Sequence, residues 1–231
     1  MSTFFSVVIP VFNRSKYLDK ALQSVLGQTY KDFEIIVVDD GSDDGEVELE
    51  LRKYTESKGI MVLHQRHKGP GAAINYGVSR ARGEYVCRLD SDDMLTPEAI
   101  EVVRAYVNEF PNVDYFYSSR YTIDEEDRVI KVLRSVPFDT KKLLRRNIAN
   151  HLVCWKRQSF VEIDGFDESL CYGEDYDLAL RMAERFRFQN ISEILYEVRR
   201  GSHEDRLSRL YSGEKRTQIV KAIRQKYGNS T

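Results

Sequence analysis

The chain has 231 residues, which suits one domain with a substantial core and leaves too little length for two independent domains. Charged residues make up 31% of it and the net charge is −2, with both signs interspersed, which excludes bulk electrostatic binding of nucleic acid. Its 3 cysteines have no CxxC spacing, which argues against a disulfide framework and a zinc ribbon and favours a reducing cytoplasm.

The first half of the chain alternates strands and helices at short spacing. Apolar runs predict strands at 5–12, 33–38, 60–64 and 84–89, and helical periodicity predicts helices at 17–26, 47–58 and 72–81. Such alternation is typical of an α/β fold with a mostly parallel central sheet and helices on both faces. In this architecture ligands bind beyond the C-terminal ends of the strands.

The second half is less regular. An amphipathic helix is predicted at 97–110, followed by strands at 113–121, 129–132 and 152–155, helices at 141–147, 157–163 and 174–184, and one or two edge strands within 186–198. The acidic run Asp124–Arg128 is expected to be the solvated tip of a hairpin.

Two features bear on cellular location. Residues 1–5 lack a basic segment followed by a long apolar stretch, and no apolar run of about 18 residues occurs anywhere. We therefore predict a cytoplasmic protein that is neither exported nor membrane-spanning. Peripheral attachment to the cytoplasmic face of the membrane stays open, because Lys215 to Lys226 is basic and roughly amphipathic, although such stretches are more often ordinary surface helices.

Acidic residues follow two of the predicted strands. Asp39 and Asp40 come directly after the second strand, and Asp90, Asp92 and Asp93 follow the fourth. Clustered carboxylates repel one another, and a hard divalent cation such as Mg²⁺ or Mn²⁺ relieves that repulsion, with substrate phosphate oxygens as further ligands. The other interpretation is a turn or a helix cap, where aspartate and serine are common.

A second acidic pair, Glu174 and Asp175, opens a predicted helix. For an isolated pair, complementing the helix dipole is a sufficient explanation. A hydroxyl that attacks an electrophilic carbon, however, needs a nearby base and a charge sink for the leaving group. The acidic cluster after the fourth strand is a candidate sink, and the Glu174–Asp175 pair is a candidate base.

Five segments in this order resemble glycosyltransferase family 2, over about residues 5–210. They are Val7–Asn13, Leu26–Tyr30, Phe33–Ser42, Gly83–Asp93 and Asp164–Arg181. The resemblance implies a GT-A fold, a nucleotide-sugar donor, a divalent Mn²⁺ or Mg²⁺ cofactor and inversion at the anomeric carbon. It also implies one domain over 1–231, with a nucleotide-sugar-binding half at about 1–95, an acceptor and catalytic-base half at about 96–210, and a C-terminal helix at about 211–231.

The resemblance also implies roles for individual residues. Asp175 is the expected catalytic base, with Glu174 orienting it or touching the acceptor. Asp92 is the expected metal ligand, Asp90 binds metal or ribose, and Asp93 is a turn or cap residue. His203 is either a further metal ligand or an exposed loop histidine. The expected nucleotide-sugar-binding residues are Pro10, Phe12, Asn13, Asp39, Asp40, Gly71, Asn75, Asp90, Ser91 and Arg199.

Among these, Asp40 is expected to accept a hydrogen bond from the base, as uracil would offer, and Asp39 shares that role. Arg199 or Arg200 is expected to pair with the diphosphate. The chain departs from the family pattern at Ile74, where a basic residue is frequent. It also lacks the Gln-x-x-Arg-Trp signature of processive synthases, since its one tryptophan, Trp155, precedes the base.

We therefore predict an inverting, non-processive glycosyltransferase that moves a sugar from a nucleotide-diphosphate donor to a hydroxyl of a glycan or lipid-linked acceptor. A UDP-sugar is the expected donor, although thymine presents the same edge as uracil and GDP is not excluded. The main alternative is a catalytically inactive nucleotide-sugar-binding module. A phosphorelay receiver is much shorter, and a sugar nucleotidyltransferase needs a glycine-rich loop where this chain has Val11–Arg14. Nothing in the sequence indicates the sugar, the acceptor or the oligomeric state.

Overall fold

A computed structural model describes residues 3–55, 59–200 and 213–228. The described strands form one sheet. They are β1 Phe5–Val11, β2 Phe33–Asp39, β3 Met61–His64, β4 Tyr85–Arg88, β5 Met94–Leu95, β6 Tyr115–Ile123, β7 Val129–Leu133, β8 Cys154–Lys156 and β9 Phe188–Arg199. The described helices are α1 Leu18–Leu26, α2 Glu46–Thr55, α3 Pro70–Arg80, α4 Ala99–Glu109, α5 Thr140–Arg145, α6 Arg157–Val161, α7 Glu174–Ala183 and α8 Gly213–Gly228.

The sheet has the order β3-β2-β1-β4-β8-β6-β9-β5, with β7 paired to β6. From β3 to β4 every pairing is parallel, as the strand–helix alternation predicts. Because parallel strands end at one edge, the loops that follow β1, β2 and β4 gather there. The predicted α/β class is confirmed, and the parallel arrangement belongs to the first half of the chain.

Beyond β4 the sheet is mixed. β8 runs antiparallel to both β4 and β6, while β6 and β9 are parallel to each other. The segment predicted as one or two edge strands is the single strand β9, which lies between β6 and β5 and is therefore not at the edge. The prediction also missed β5, because 2 residues are too few for any periodicity to appear.

Apolar side chains cover both faces of the sheet. On one face the helix α1 buries Leu18, Ala21, Leu22 and Val25, which follow the predicted helical spacing. On the other face α3 and α7 pack around Trp155. Burying each such large apolar side chain contributes about 1.5–3 kcal/mol. The core therefore fixes both helical layers, and the loops at the strand ends lie between them.

The helix α8 covers the region that precedes α7. Its Ile223 is buried, and the Tyr227 hydroxyl donates to Asp177 Oδ1 at 2.6 Å. Gly173 has a left-handed φ of 79°, and a Cβ there would lie 2.9 Å from Ile223 Cδ1, so glycine is required. The apolar face of α8 is thus packed on the protein, as in an ordinary surface helix. No helix within the described ranges combines the length and the apolar character that a membrane span needs.

Candidate active site

The loop after β2 is fixed to the loop after β3 through Asp40. Asp40 Oδ1 accepts from Gln65 Nε2 at 2.6 Å and from the backbone N–H of Lys68 at 2.9 Å. Its Oδ2 accepts from the backbone N–H of Gly69 at 2.8 Å and lies 2.9 Å from His67 Nδ1. A carboxylate accepts about four hydrogen bonds, so the protein itself satisfies Asp40.

Asp39 is less completely satisfied than Asp40. Its Oδ1 accepts from the backbone N–H of Ser42 at 2.9 Å, and its Oδ2 lies 3.2 Å from Nδ1 of the half-exposed His64. Acceptor capacity therefore remains on Asp39, and the sequence prediction had given the larger role to Asp40.

An aromatic pair lies beside these carboxylates. The ring of Phe12, which is 36% exposed, stacks on His67 with centroids 3.8 Å apart and planes 19° from parallel. Asn13 follows with a positive φ of 48°, and its side chain exchanges two hydrogen bonds with Asp43. Pro10 lies in β1 opposite Val38. Phe12 adjoins Asp40 through His67, and Asn13 adjoins Asp39 through Ser42, which accepts the Asn13 N–H at 2.9 Å and donates its own N–H to Asp39. Pro10 lies on the opposite face of the sheet from Asp39, because Val11 is the residue in register with Asp39.

The three acids Asp90, Asp92 and Asp93, here called the triple acid, lie on one tight turn with Ser91. That turn is closed by the backbone hydrogen bond from Asp93 N–H to the Asp90 carbonyl at 3.1 Å. Asp90 Oδ1 accepts from Arg88 Nε at 2.8 Å, and Asp92 Oδ2 accepts from Arg14 Nη1 at 3.2 Å. Two cationic side chains therefore offset part of the charge of the triple acid.

The members of the triple acid differ in accessibility. The Asp90 side chain is 42% exposed, whereas those of Asp92 and Asp93 are mostly covered. Asp93 Oδ1 accepts the backbone N–H of Arg199 at 2.8 Å and so joins the turn to β9. These contacts agree with the prediction that Asp93 has a structural role.

The chemistry of Asp90 and Asp92 suits a hard divalent cation. Mg²⁺ is commonly held by one or two carboxylates together with substrate phosphates and water, so two protein ligands are sufficient. Within the described ranges no three His, Cys, Asp or Glu residues form a ready-made metal-binding group. The predicted further ligand His203 lies outside the described residues.

Arg88 connects the triple acid to the candidate base. Besides its contact with Asp90, its Nη1 and Nη2 lie 3.4 and 3.5 Å from Glu174 Oε1. Sequence reasoning missed this residue, although an arginine at the end of the strand that carries the triple acid was a usable signal. Arg88 and Glu174 are 86 positions apart in sequence, and the two acidic clusters face each other across this one guanidinium group.

Asp175 lies in the first turn of α7. Its Oδ2 accepts from Asn147 Nδ2 at 3.0 Å and its Oδ1 from the backbone N–H of Tyr176 at 2.8 Å. Each oxygen keeps a lone pair for a substrate hydroxyl. Asn147 is a second residue that sequence reasoning missed, and its place in an irregular loop gave no signal.

The surroundings raise the pKa values of both carboxylates in the Glu174–Asp175 pair. Burial is the main cause in each case, because it disfavours the charged form, while the Arg88 guanidinium acts in the opposite direction. The pKa of Arg88 is itself raised: burial opposes its charge, but Asp90, Glu174 and Asp175 outweigh that effect. A buried carboxylate with a raised pKa beside a cation is a frequent property of catalytic bases.

Three residues predicted to bind the donor have other partners in the structure. The Asn75 amide exchanges hydrogen bonds with the backbone of Phe166, and Gly71 packs against Phe166 and Glu174. Arg199 is fully buried, with Nε bound to the Asp92 carbonyl at 3.1 Å and its guanidinium 4.2 Å from the centroid of Tyr17. These contacts give Asn75 and Arg199 structural roles.

The hairpin tip Asp124–Arg128 also has a structural role, which its interpretation as a solvated turn did not include. Asp127 Oδ1 lies 2.5 Å from Arg199 Nη1, and Asp127 Oδ2 lies 2.5 Å from Lys20 on α1. Carbonyl oxygens of Asp124 and Glu125 accept from Arg199 as well. The tip is therefore held against the turn of the triple acid through one buried arginine.

A sequence profile described as "Glycosyl transferase family 2" matches residues 6–164, which is more than half of the chain. The chain belongs to glycosyltransferase family 2. Chondroitin synthase from Escherichia coli is 32% identical over 192 residues, which are 83% of this chain and 28% of that protein. The matched profile ends before Glu174, so this family 2 chain carries its candidate base outside the matched segment.

Solved structures identify the fold of this family 2 chain as GT-A. The structure of S. aureus TarS 1-349 in complex with UDP-GlcNAc has a TM-score of 0.79 at 22% identity, covering 95% of this chain and 65% of that one. The mannosyltransferase PcManGT from Pyrobaculum calidifontis, in complex with GDP-Man and Mn²⁺, has a TM-score of 0.66 at 19% identity, covering 95% of this chain and 64% of that one. The chain spans less than two thirds of each of these relatives.

Proposed function

We propose that the chain transfers a sugar from a nucleotide-diphosphate donor to a hydroxyl of a glycan or lipid-linked acceptor, with inversion and without processivity. The observation that carries this proposal is the arrangement around Arg88, which joins Asp90 to Glu174 beside Asp175. Transfer requires a leaving-group site and a base on opposite sides of one reacting carbon, within the reach of a single substrate.

For the donor, we assign the nucleobase to the wall formed by Phe12, Asn13 and Asp39. Asp39 retains acceptor capacity for an N–H of the base, whereas Asp40 is satisfied by the protein and holds the loop. A uracil edge suits a carboxylate acceptor, so a UDP-sugar is the proposed donor. The two solved relatives carry UDP-GlcNAc in one case and GDP-Man in the other, so the choice of nucleotide requires a direct test.

For the leaving group, we assign a divalent cation to Asp92 and Asp90. The ligand chemistry supports this assignment, since both are carboxylates on one turn, Asp90 exposed and Asp92 mostly covered, and a relative of the same fold was solved with Mn²⁺. The chemistry that such an ion supplies is neutralisation of the charge on a departing diphosphate. Arg14 beside Asp92 keeps this part of the crevice electrostatically balanced.

For the acceptor, we assign the base role to Asp175. Asn147 and the Tyr176 N–H orient its carboxylate, and Glu174 fixes Arg88 beside it. The carboxylate of Asp175 would take the proton of the acceptor hydroxyl as that oxygen attacks the anomeric carbon. We place this reaction in the cytoplasm. Peripheral attachment to the membrane gains no support from the apolar face of α8, which is packed on the protein.

Thermal denaturation with UDP, TDP or GDP, each with and without Mn²⁺, tests the donor assignment. A ligand present at a free concentration of about 100 times its Kd stabilises the folded protein by about 2.7 kcal/mol. This raises the Tm of a domain of this size by about 5–10 °C. We expect the largest shift with UDP and Mn²⁺. No shift with any of the three nucleotides would contradict the proposal.

A second measurement separates an enzyme from the inactive binding module. Incubation with UDP-sugars and Mn²⁺, with and without acceptor oligosaccharides, is followed by assay of free UDP. The proposal predicts catalytic release of UDP that depends on Asp175. Binding of UDP without any release, across a broad set of sugars and acceptors, would favour the inactive module.

A further inference from the structure

A group of basic side chains lies next to the triple acid and has no role in the reaction proposed above. Arg120 on β6 pairs in register with Tyr196 on β9, and the Tyr196 hydroxyl accepts from the Asp90 backbone N–H at 3.1 Å. The ring centroids of His151 and Tyr196 are 5.9 Å apart, and the backbone carbonyl of His151 accepts from the Ser118 N–H at 2.8 Å. Arg200 follows β9 directly, with its N–H bound to the Ile123 carbonyl at 2.7 Å.

The positive charge of this group is only partly offset by protein carboxylates. Among the described residues, the buried Nη1 of Arg120 has no hydrogen-bond partner, although the side chain as a whole is partly accessible. Arg200 is exposed, and no ion pair of its side chain occurs within the described part of the chain. Asp93 acts on Arg120 and also accepts the Arg199 N–H, while Asp90 is paired with Arg88. A buried cationic donor without an acceptor costs free energy that a bound anion would recover.

The electrostatics of His151 report the same excess of positive charge. The pKa of its imidazole is lowered well below the ordinary value, first by burial and then by Arg120, Arg200 and Arg88. The pKa of Arg120 is also lowered, first by burial and then by Arg200, although Asp93 and Tyr196 act in the opposite direction. A neutral imidazole still has one N–H to donate, so the three side chains together present hydrogen-bond donors of the kind that bind an oxyanion.

The position of the group in the sheet indicates which substrate it faces. The wall of Phe12, Asn13 and Asp39 that we assign to the nucleobase, here called the nucleotide wall, lies at the ends of β1, β2 and β3. The triple acid follows β4. The basic group lies on the loop before β8 and on β6 and β9. In the order of the sheet, the triple acid therefore separates the basic group from the nucleotide wall. An anion held there would sit on the acceptor side of the leaving group.

We propose that Arg120, His151 and Arg200 form a binding site for an oxyanion of the acceptor, a carboxylate or a phosphate on the sugar that receives the transferred residue. This inference rests on the proposed function, because it assumes that a donor occupies the nucleotide wall. It adds a substrate class to that function: anionic acceptors are preferred over neutral ones of the same shape.

The test is an NMR titration of the protein saturated with UDP and Mg²⁺. The probes are 4-nitrophenyl β-D-glucuronide, its neutral counterpart 4-nitrophenyl β-D-glucoside, and glucose 6-phosphate, so that the carboxylate and phosphate arms are separate. We expect at least one of the anionic probes to bind about tenfold or more tightly than the glucoside, as charge-assisted hydrogen bonds from arginine allow. The shifted resonances should include those of Arg120, His151 and Arg200.

Arg120→Gln and Arg200→Gln should each remove most of that preference, and Arg120→Gln should change the affinity for UDP less than twofold. A loss of UDP affinity in Arg200→Gln as large as its loss of the anion would assign Arg200 to the diphosphate, as the sequence predicts for Arg199 or Arg200, and would overturn its place in the oxyanion site. Arg200 is exposed, so its variant remains informative if Arg120→Gln does not fold. Arg134→Gln, an exposed arginine just after β7, controls for the loss of one charge and should keep the preference.

Equal binding of charged and neutral probes overturns the oxyanion site while leaving the proposed function intact. A loss of UDP affinity in Arg120→Gln as large as the loss of the anion also overturns it, because the group would then serve the donor diphosphate. Failure of the unmodified protein to bind UDP at all contradicts the proposed function instead.

Discussion

The interaction of Arg88 with the base pair makes a quantitative prediction about pH. Asp175 must be ionised to accept a proton, and burial raises its pKa while Arg88 holds it down. Replacing Arg88 by glutamine removes the cation and leaves burial unopposed, so the pKa of Asp175 should rise further. Transfer activity should therefore be lost at a higher pH on the acid side than in the unmodified protein.

The size of the shift follows from the geometry. An opposite charge within about 4–6 Å lowers a carboxyl pKa by about 1–3 units. Arg88 is shared among Asp90 at 2.8 Å, Glu174 at 3.4 Å and Asp175, so Asp175 receives only part of its effect. We expect the acid limb of kcat/KM to move upward by about one pH unit in Arg88→Gln.

The assay is a pH profile of UDP release at saturating Mn²⁺, with Arg88→Lys as the matched control. Lysine keeps the charge and should leave the acid limb close to its original position, even if it lowers the maximal rate. Thermal stabilisation by UDP verifies that each variant is folded. An acid limb at the same pH in Arg88→Gln and the unmodified protein would show that Arg88 does not set the protonation of the base.

Two further substitutions test the triple acid and its support. Asp92→Asn should abolish the Mn²⁺-dependent part of the UDP affinity measured by calorimetry. Asp44→Asn, which retains an oxygen that can cap α2, should keep it. A gain in UDP affinity on adding Mn²⁺ that is as large in Asp92→Asn as in the unmodified protein would show that Asp92 does not hold the metal. Arg199→Met should lower the free energy of unfolding, measured in urea, by about 3 kcal/mol, because it leaves a carboxylate and several carbonyls without their donor. Arg128→Gln, on the hairpin tip that Arg199 contacts, should lower it by less than about 0.5 kcal/mol. Similar values for the two variants would contradict the role given to Arg199.

Much of the fold was predictable from local patterns. The apolar runs of β1 and β2 and the spacing of Leu18, Leu22 and Val25 specify buried elements directly, because each pattern matches the period of its structure. The strand β5 and the interior position of β9 were not predictable, since 2 residues carry no period and strand order depends on long-range pairing.

The candidate site was predictable in its acids and not in its cations. Asp90, Asp92 and Asp175 are candidates from the sequence because clustered carboxylates at element ends are unusual, and their roles stay predictions. Arg88 was missed although its place at the end of the strand that carries the triple acid was a usable signal. Arg120 was missed because a single arginine within a strand gives no signal until its neighbours in space are known. At Asn75 and Arg199, by contrast, a position typical of ligand binding has hydrogen bonds directed to the protein, which only the structure reveals.

The most direct test of the proposed chemistry is the turnover of Asp175→Asn. Asparagine keeps the shape and the acceptor oxygen of the side chain but cannot take a proton. We predict that UDP and Mn²⁺ bind as in the unmodified protein while kcat for transfer falls about 10²–10⁴-fold, the usual contribution of a positioned base. Unchanged turnover in a variant that binds UDP normally would contradict Asp175 as the base.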